Sequence, residues 1–446
     1  MAISFWWLGH ATTTQARVCV RTTTTGTVTV SCAGQSFTAA ADTAVADGIV
    51  AIDVLGLEPG KSYPVTITDA SAAVERGTLR TMPATGGKVA FISCDERTRP
   101  LDDLAQNIIA FGANALCHQG DYVYAAAALS GYNGETSPAI TGSSTAANYA
   151  THWRQCMRKS DKRLLETAIP QYRMFDDHEF GGDNWDHTVT QAQSALNVAP
   201  GGTQAEVDAS WWAARQAAAW YMAGNPASDA GTTAEKPSNA AGGTSVNQYP
   251  VAYYRNTVGD IEFFHIDCFS YRSPNAATDN ASKTMLGANQ KAWLKVRIAA
   301  STAKFKIIAS GKTTYIATAG GTGDDWRRFS TERDELISFI QSTGLTGVVW
   351  MCGDPHSAFV VYDPARGHIA VTANPAGVDH IAQAAGYPQF VTWKQQGAAG
   401  GQTRLPAVFG LAEAAGDTLT LRLIDQYGAE LWRGTVQAGT NVLTTA

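Results

Sequence analysis

Apolar and polar positions alternate through the first eighty residues. Ala16-Arg17-Val18-Cys19-Val20-Arg21, the run from Thr27 to Cys32, Gly48 to Val54 and Tyr63 to Thr68 all have the period of two that sends successive side chains to opposite faces of a strand. Leu57-Glu58-Pro59-Gly60 supplies a turn between the last two. Short strands with frequent turns and no helical period predict a small all-β, immunoglobulin- or fibronectin-like sandwich over residues 1–84. Residues 81–87, rich in Gly, Thr and Pro, read as a linker, which leaves 85–446 as a second domain.

Beyond the linker the pattern changes. Apolar runs of strand length at Val89 to Ser93, Ala115 to Cys117, Phe305 to Ala309 and Gly347 to Met351 are separated by segments of helical period. Pro100 opens one helix, with Leu101, Leu104, Ala105 and Ile108 on one face and Gly112 at its end. A second follows Thr203, where Glu206 completes a capping box and Val207, Trp211, Ala214 and Ala218 share a face, with Gly224 and Pro226 as stops. Ser330 is predicted to cap a third, which runs through Ile340 and stops near Gly344. Strands interleaved with helices predict a layered α/β domain. The Gly-, Ser- and Ala-rich runs at 130–147 and 224–245 read as surface insertions.

Composition narrows the class. With 446 residues, 45% hydrophobic, 16% charged and a net charge of -6, the chain is globular and mildly acidic, without the clustered Lys and Arg that a nucleic-acid partner requires. No apolar run approaches the ~18 residues of a membrane-spanning helix. The N-terminus has none of the basic and apolar regions of a signal peptide, so a cytoplasmic protein and an exported one whose leader has been removed both stay open. Seven scattered cysteines without a C-x-x-C pair favour free thiols, with a Cys19–Cys32 bridge as the one pairing considered.

The chemistry-bearing residues fall just beyond the predicted strands. Ser93-Cys94 ends the first; Gly120-Asp121-Tyr122-Val123-Tyr124 follows the second; Asp176-Asp177-His178-Glu179 follows Gln171 to Phe175; Gly353-Asp354-Pro355-His356 follows the last. Loops at the carboxyl ends of α/β strands build ligand sites, so four such loops can converge on one cleft. Asp121, Asp177 and Asp354 suit hard cations such as Ca²⁺, whereas the Cys94 thiolate and Tyr124 phenolate suit a more Lewis-acidic metal such as Fe³⁺. Paired cations can clamp a phosphoryl group and activate water, and His178 could protonate a leaving alkoxide. Taken singly, Gly-Asp-Tyr and Gly-Asp-Pro-His are also ordinary turns, and Cys94 is also an ordinary buried thiol.

Taken together and in order, the motifs resemble those of the alkaline phosphatase D (PhoD-like) metallophosphatases. The resemblance rests on Ser93-Cys94, on H-x-G-D-Y-x-Y from His118 to Tyr124, on D-D-H-E from Asp176 to Glu179 and on G-D-x-H from Gly353 to His356. Weaker similarity lies at Asp267 with Tyr271-Arg272, at Leu286-Gly287, Gln290 and Trp293-Leu294, and at Trp326, Phe329 and Arg333. It implies an αββα metallophosphatase sandwich with Fe³⁺ and Ca²⁺ as cofactors. Position by position, it implies that Cys94 and Tyr124 are iron ligands, Asp121 a metal-bridging and catalytic carboxylate, and Asp177 a calcium ligand. Asp354 and His356 become metal or phosphate contacts, His178 the residue that orients the phosphate and assists the leaving group, and Asn184 a weaker substrate contact.

The chain departs from the family pattern at Asp95, at Arg327 and at Lys312, where a family Gln-Gln region is replaced and the ammonium could face an anionic substrate. The implied function is hydrolysis of a small phosphoric ester by a metal-bound hydroxide, as a phosphomonoesterase, a phosphodiesterase or a phospholipase D-like phosphodiesterase. The alternative of another class is a binding or surface protein with a degenerate metal site. Family members are generally exported, which adds periplasmic or secreted to the open locations.

Overall fold

A computed structural model of the chain describes residues 2–94, 101–125, 129–132, 135–182, 185, 203–230, 252–314, 324–373, 391–394 and 406–445. Asp95, Pro100 and Asn184, and the Gly/Ala-rich run beyond residue 230, lie outside them.

Two antiparallel sheets form first, one ordered Ile3–Ala11, Gln15–Thr22, Ile49–Leu55 and the other Gln35–Ala41, Gly26–Cys32, Ser62–Thr68, Val74–Arg80. Their facing residues, among them Trp6, Leu8, Val18 and Val20 from one and Val28, Val30, Val65 and Ile67 from the other, pack in one cluster, as the alternation predicts. The other face of the three-stranded sheet is also buried. Phe5, Trp7, Cys19 and Ile49 pack there against Tyr149 and Trp153 of the helix Ala146–Met157 and Tyr221 of the helix Gln204–Tyr221. Cys19 and Cys32 therefore sit in different apolar layers, and all seven cysteines are free.

Two seven-stranded sheets follow. One has the order Gln171–Arg173, Ala115–His118, Lys88–Ile92, Val408–Ala415, Thr418–Asp425, Glu430–Gln437, Leu443–Thr445, parallel over its first three strands and antiparallel beyond. The other has the order Tyr254–Val258, Ile261–Ile266, Phe305–Ser310, Val348–Cys352, His368–Thr372, Phe359–Asp363, Val391–Lys394, with four parallel strands at its centre. Val89, Phe91 and Cys117 of the first sheet share a buried cluster with Phe263, Ile307 and Val349 of the second. Outer faces carry helices: Ile92 and Leu116 pack on Leu104 and Ile108 of Asp102–Ala110, while Ile308 and Trp350 pack with Leu294 of Gly287–Ala300 and Leu336 of Ser330–Ser342. Strands covered on both faces read as unbroken apolar runs, which is why their alternation is absent from the sequence.

Local signals hold unevenly. Thr203 and Glu206 form the predicted reciprocal cap, with Thr203 N–H donating to the Glu206 carboxylate at 2.7 Å. Ser330 does not cap its helix; it is the first helical residue, and the cap comes from Asp279, whose carboxylate accepts the Ser330 N–H at 2.8 Å and its hydroxyl at 2.5 Å. The two runs read as surface insertions are partly structural. Residues 130–147 contribute the paired strands Leu129–Tyr132 and Glu135–Ser137 and the start of a helix, and the Gly224 carbonyl accepts the His10 N–H at 2.6 Å. Among the described residues no helix is long and apolar enough to cross a membrane.

Candidate active site

The parallel strands of both large sheets end at one edge of the molecule and bring the four motif loops into contact. Sγ of Cys94 lies 3.2 Å from Oδ2 of Asp121 and 3.6 Å from the Asp354 carbonyl. Among the described residues, three sets of potential ligand atoms lie within 4.8 Å of one another: Cys94, Asp121 and His356; Asp121, Asp177 and His178; and Asp121, Asp176, Asp177 and Asp354. Asp121 belongs to all three. The Tyr124 ring lies 4.2 Å from that of His178, which places the phenol at the same cleft.

Glycine lets the loops approach this closely. A Cβ on Gly120, whose φ is 100°, would stand 2.6 Å from the Asp176 Cβ; one on Gly353 would stand 2.9 Å from the Ser93 Cβ and 3.0 Å from the Gln119 and Gly311 carbonyls. The candidate ligands themselves carry backbone strain. Cys94 (φ 52°), Asp121 (56°), Asp354 (84°) and His356 (47°) all adopt the left-handed region, which costs a non-glycine residue about 1–3 kcal/mol and collects at functional sites.

Glu179, the last residue of the Asp-Asp-His-Glu motif, ties two loops together. Its carboxylate accepts the backbone N–H of Asp121 at 3.1 Å, Tyr122 at 2.5 Å, Val123 at 3.1 Å and Asp176 at 2.7 Å. Asp177, His178 and Glu179 form a 3-10 turn capped by Asp176, whose Oδ1 accepts the Asp177 N–H at 2.9 Å. The motif is thus half site and half scaffold.

Lys312 does not face a substrate. Its side chain is fully buried, and its ammonium lies 2.7 Å from Asp354, 2.8 Å from Asp176, 2.9 Å from Asp324 and 3.4 Å from Asp177. Arg272, also fully buried, pairs with Asp324 at 2.7 Å and donates to the Trp185 carbonyl. Asp324, Arg272 and the first aspartate of Asp-Asp-His-Glu are the residues that sequence reasoning missed. Their signal is the pair Asp324-Asp325 just before Trp326, together with Arg272 in the weaker Asp267 segment. Within that segment Asp267 is structural: its carboxylate accepts the N–H groups of Phe269 and Ser270, while the Gln290 amide bonds its backbone. Arg327 pairs with Asp325 at 2.5 Å.

Burial dominates the electrostatics. It pushes the Asp121 carboxyl up to about 6 and, against the pull of Lys312, the Asp354 carboxyl up to about 8; the Cys94 thiol and Tyr124 phenol also rise, with the nearby carboxylates adding to the effect. Oδ1 of Asp121 and the Tyr124 hydroxyl are buried and accept or donate no hydrogen bond among the described residues. Polar atoms left so would cost about 1–3 kcal/mol each, and the carboxylate, thiol and imidazole donors gathered around Asp121 are what a hard or borderline cation takes. The residues fit a metal centre.

The fold and this cluster define a mixed α/β protein with a metal-competent cleft at its strand ends. The model of the PhoD-like phosphatase family matches residues 89–385, and the chain belongs to that family. It is 24% identical over 338 residues to alkaline phosphatase D of Bacillus subtilis (strain 168), a match that takes in 70% of this chain and 53% of that protein. The chain thus spans about half the length of the curated relative it matches. A solved structure, "Structure of PhoD", shares the fold with a TM-score of 0.75 at 16% identity, over 99% of this chain and 91% of that one.

Proposed function

We propose that the chain is a metal-dependent phosphoric ester hydrolase. The observation that carries this reading is the sharing of Asp121 between the Cys94/His356 group and the Asp177/His178 group, the arrangement a two-cation clamp needs. Cys94, Asp121, Tyr124 and His356 would hold the more Lewis-acidic ion, taken as Fe³⁺, and Asp177 with Asp121 would hold Ca²⁺, with Asp354 a metal or phosphate contact. Bound cations supply charge neutralisation for the phosphoryl oxygens and lower the pKa of water.

The chain's own residues do the rest. Water attacks phosphorus in line and gives its proton to solvent while the P–O bond to the leaving group breaks; His178 delivers a proton to the departing alkoxide. The products are an alcohol and a phosphate, or a phosphomonoester from a diester. A packed N-terminal β-sandwich over 1–84 of immunoglobulin-like type, and an αββα catalytic sandwich over 85–446, complete the reading; helices on the outer faces of the two large sheets support the second label. Asn184 keeps a proposed substrate role.

Small aryl phosphate monoesters and diesters are the test substrates. Hydrolysis that is lost on chelation, restored by Ca²⁺ and accompanied by bound iron is expected, and the monoester-to-diester rate ratio separates phosphomonoesterase from phosphodiesterase or phospholipase D-like action. Full activity with neither iron nor calcium overturns the proposal. Bound metal without hydrolysis of any ester supports the binding-protein alternative.

A further inference from the structure

Lys312 leaves the strand Phe305–Ser310 and ends in a cage of carboxylates. Its ammonium pairs with four carboxylates, Asp354 at 2.7 Å, Asp176 at 2.8 Å, Asp324 at 2.9 Å and Asp177 at 3.4 Å, and donates hydrogen bonds to Asp354 and Asp177. The backbone beneath is pinned, since the Ser310 hydroxyl donates to the Lys312 carbonyl at 2.6 Å, and Lys312, Thr313 and Thr314 are all fully buried.

Of the three ligand groups, only the one formed by Asp121, Asp176, Asp177 and Asp354 draws most of its oxygens from this cage. The Asp121, Asp177 and His178 group touches the lysine only through Asp177, and the Cys94, Asp121 and His356 group shares no residue with the cage. We propose that the Lys312 ammonium is a built-in counter-ion that fills the third carboxylate group in place of a metal, confining metal ions to the Asp121 side of the cleft with Cys94, His356, Asp177 and His178. A calcium ion draws its oxygens in to about 2.3–2.6 Å, so a cation bound by Asp176 and Asp354 would stand beside the ammonium in a water-poor site, and two like charges there exclude one another. Arg272 pairs with the same Asp324 oxygen at 2.7 Å, so that carboxylate is shared between two buried cations. This inference rests on the reading of the cluster as a metal centre and goes beyond it by fixing which of its positions a metal takes.

Metal counting tests it without recourse to catalysis. Full-length wild type, Lys312→Met and Lys312→Gln are dialysed to equilibrium against Ca²⁺ and assayed for bound iron and calcium by elemental mass spectrometry. Each lysine variant is expected to bind about one further divalent cation per chain than the wild type. Equal calcium content in all three overturns the lysine assignment alone. Metal in none of them overturns the metal reading, and this inference with it. Should both lysine variants fail to fold, Asp324→Asn decides: Asp324 belongs to none of the three ligand groups, so wild-type metal content is expected, and loss of a cation overturns the proposal by making Asp324 a metal ligand.

Discussion

The Glu179 carboxylate accepts the backbone N–H of Asp121 at 3.1 Å, so a residue that belongs to none of the three ligand groups sets the position of the one shared by all of them. Burial, reinforced by the Asp121 charge, pushes Glu179 up to about 8 while the N–H groups of Asp176, Val123 and Asp121 pull it back. An amide in its place offers one acceptor oxygen instead of two. Glu179→Gln is expected to fold and to lose about 10- to 100-fold in metal affinity, read from competition against a chelator of known strength. Wild-type affinity would show that the clamp does not position the site.

Cys94 offers a separation of ligand chemistry from backbone strain. Cys94→Ala and Cys94→Gly both remove the thiol, and both are expected to lose iron. Only glycine accepts a φ of 52° without cost, so the glycine variant is expected to be about 1 kcal/mol more stable than the alanine variant, by urea denaturation of metal-free protein. Alanine equal to or better than glycine would mean that the loop relaxes once the thiol is gone.

The first 84 residues are fastened to the rest through Asp47. Its carboxylate takes Arg21 at 2.9 Å, Arg154 at 2.9 Å and the Tyr221 hydroxyl. Burial raises the Asp47 carboxyl, but the bonds from Arg21 and Tyr221 outweigh it, and the net shift is downward. A depressed carboxyl contributes stability above its unfolded value, and that contribution is lost as pH falls through the lower, folded one. Asn tolerates the φ of 53° at this position, so Asp47→Asn keeps the backbone while removing the charge and one acceptor oxygen; a loss of about 3 kcal/mol at neutral pH is expected in chemical denaturation. A loss of a few tenths would mark the network as solvated.

Two histidines away from the cleft report on acid. Burial lowers His265 to about 3, and burial with the Arg333 and Arg366 charges lowers His368 to about 3. His265 bonds Asn256 at 2.6 Å and His368 bonds Thr314 at 3.1 Å, so both rings are held neutral. The unfolded chain takes up protons on them below about pH 6.5 while the folded chain does not. Their contribution is therefore whole above that pH and falls by about 1.4 kcal/mol per histidine per pH unit toward pH 3. Denaturation midpoints at pH 7 and 5 check this: the wild type should fall more steeply than His368→Gln, and parallel slopes would remove His368 from the account.

Much of this was legible before any coordinates. Alternation gave the inward residues Val28, Val30, Val65 and Ile67, and the polar residues after each apolar run gave Cys94, Asp121, Asp177, His178, Asp354 and His356 as neighbours. What escaped depends on partners remote in the chain. Nothing local to Ser330 announces that Asp279 caps its helix, and nothing local to Lys312 announces that Asp176, Asp177, Asp324 and Asp354 gather around it. The Cys19–Cys32 pairing failed for a similar reason: period-two alternation says that each faces an apolar layer, not that the layers differ.

The strand Lys88–Ile92, which leads into Cys94, pairs on one side with Ala115–His118 and on the other with Val408–Ala415. During synthesis the first neighbour is available at once, whereas the second emerges only after nearly all of the second seven-stranded sheet has been made. Until then that strand is an open edge whose N–H and C=O groups invite a foreign partner. Such a long-range closure slows folding, and it ties completion of the thiol-bearing loop to delivery of the strands between Val408 and Thr445.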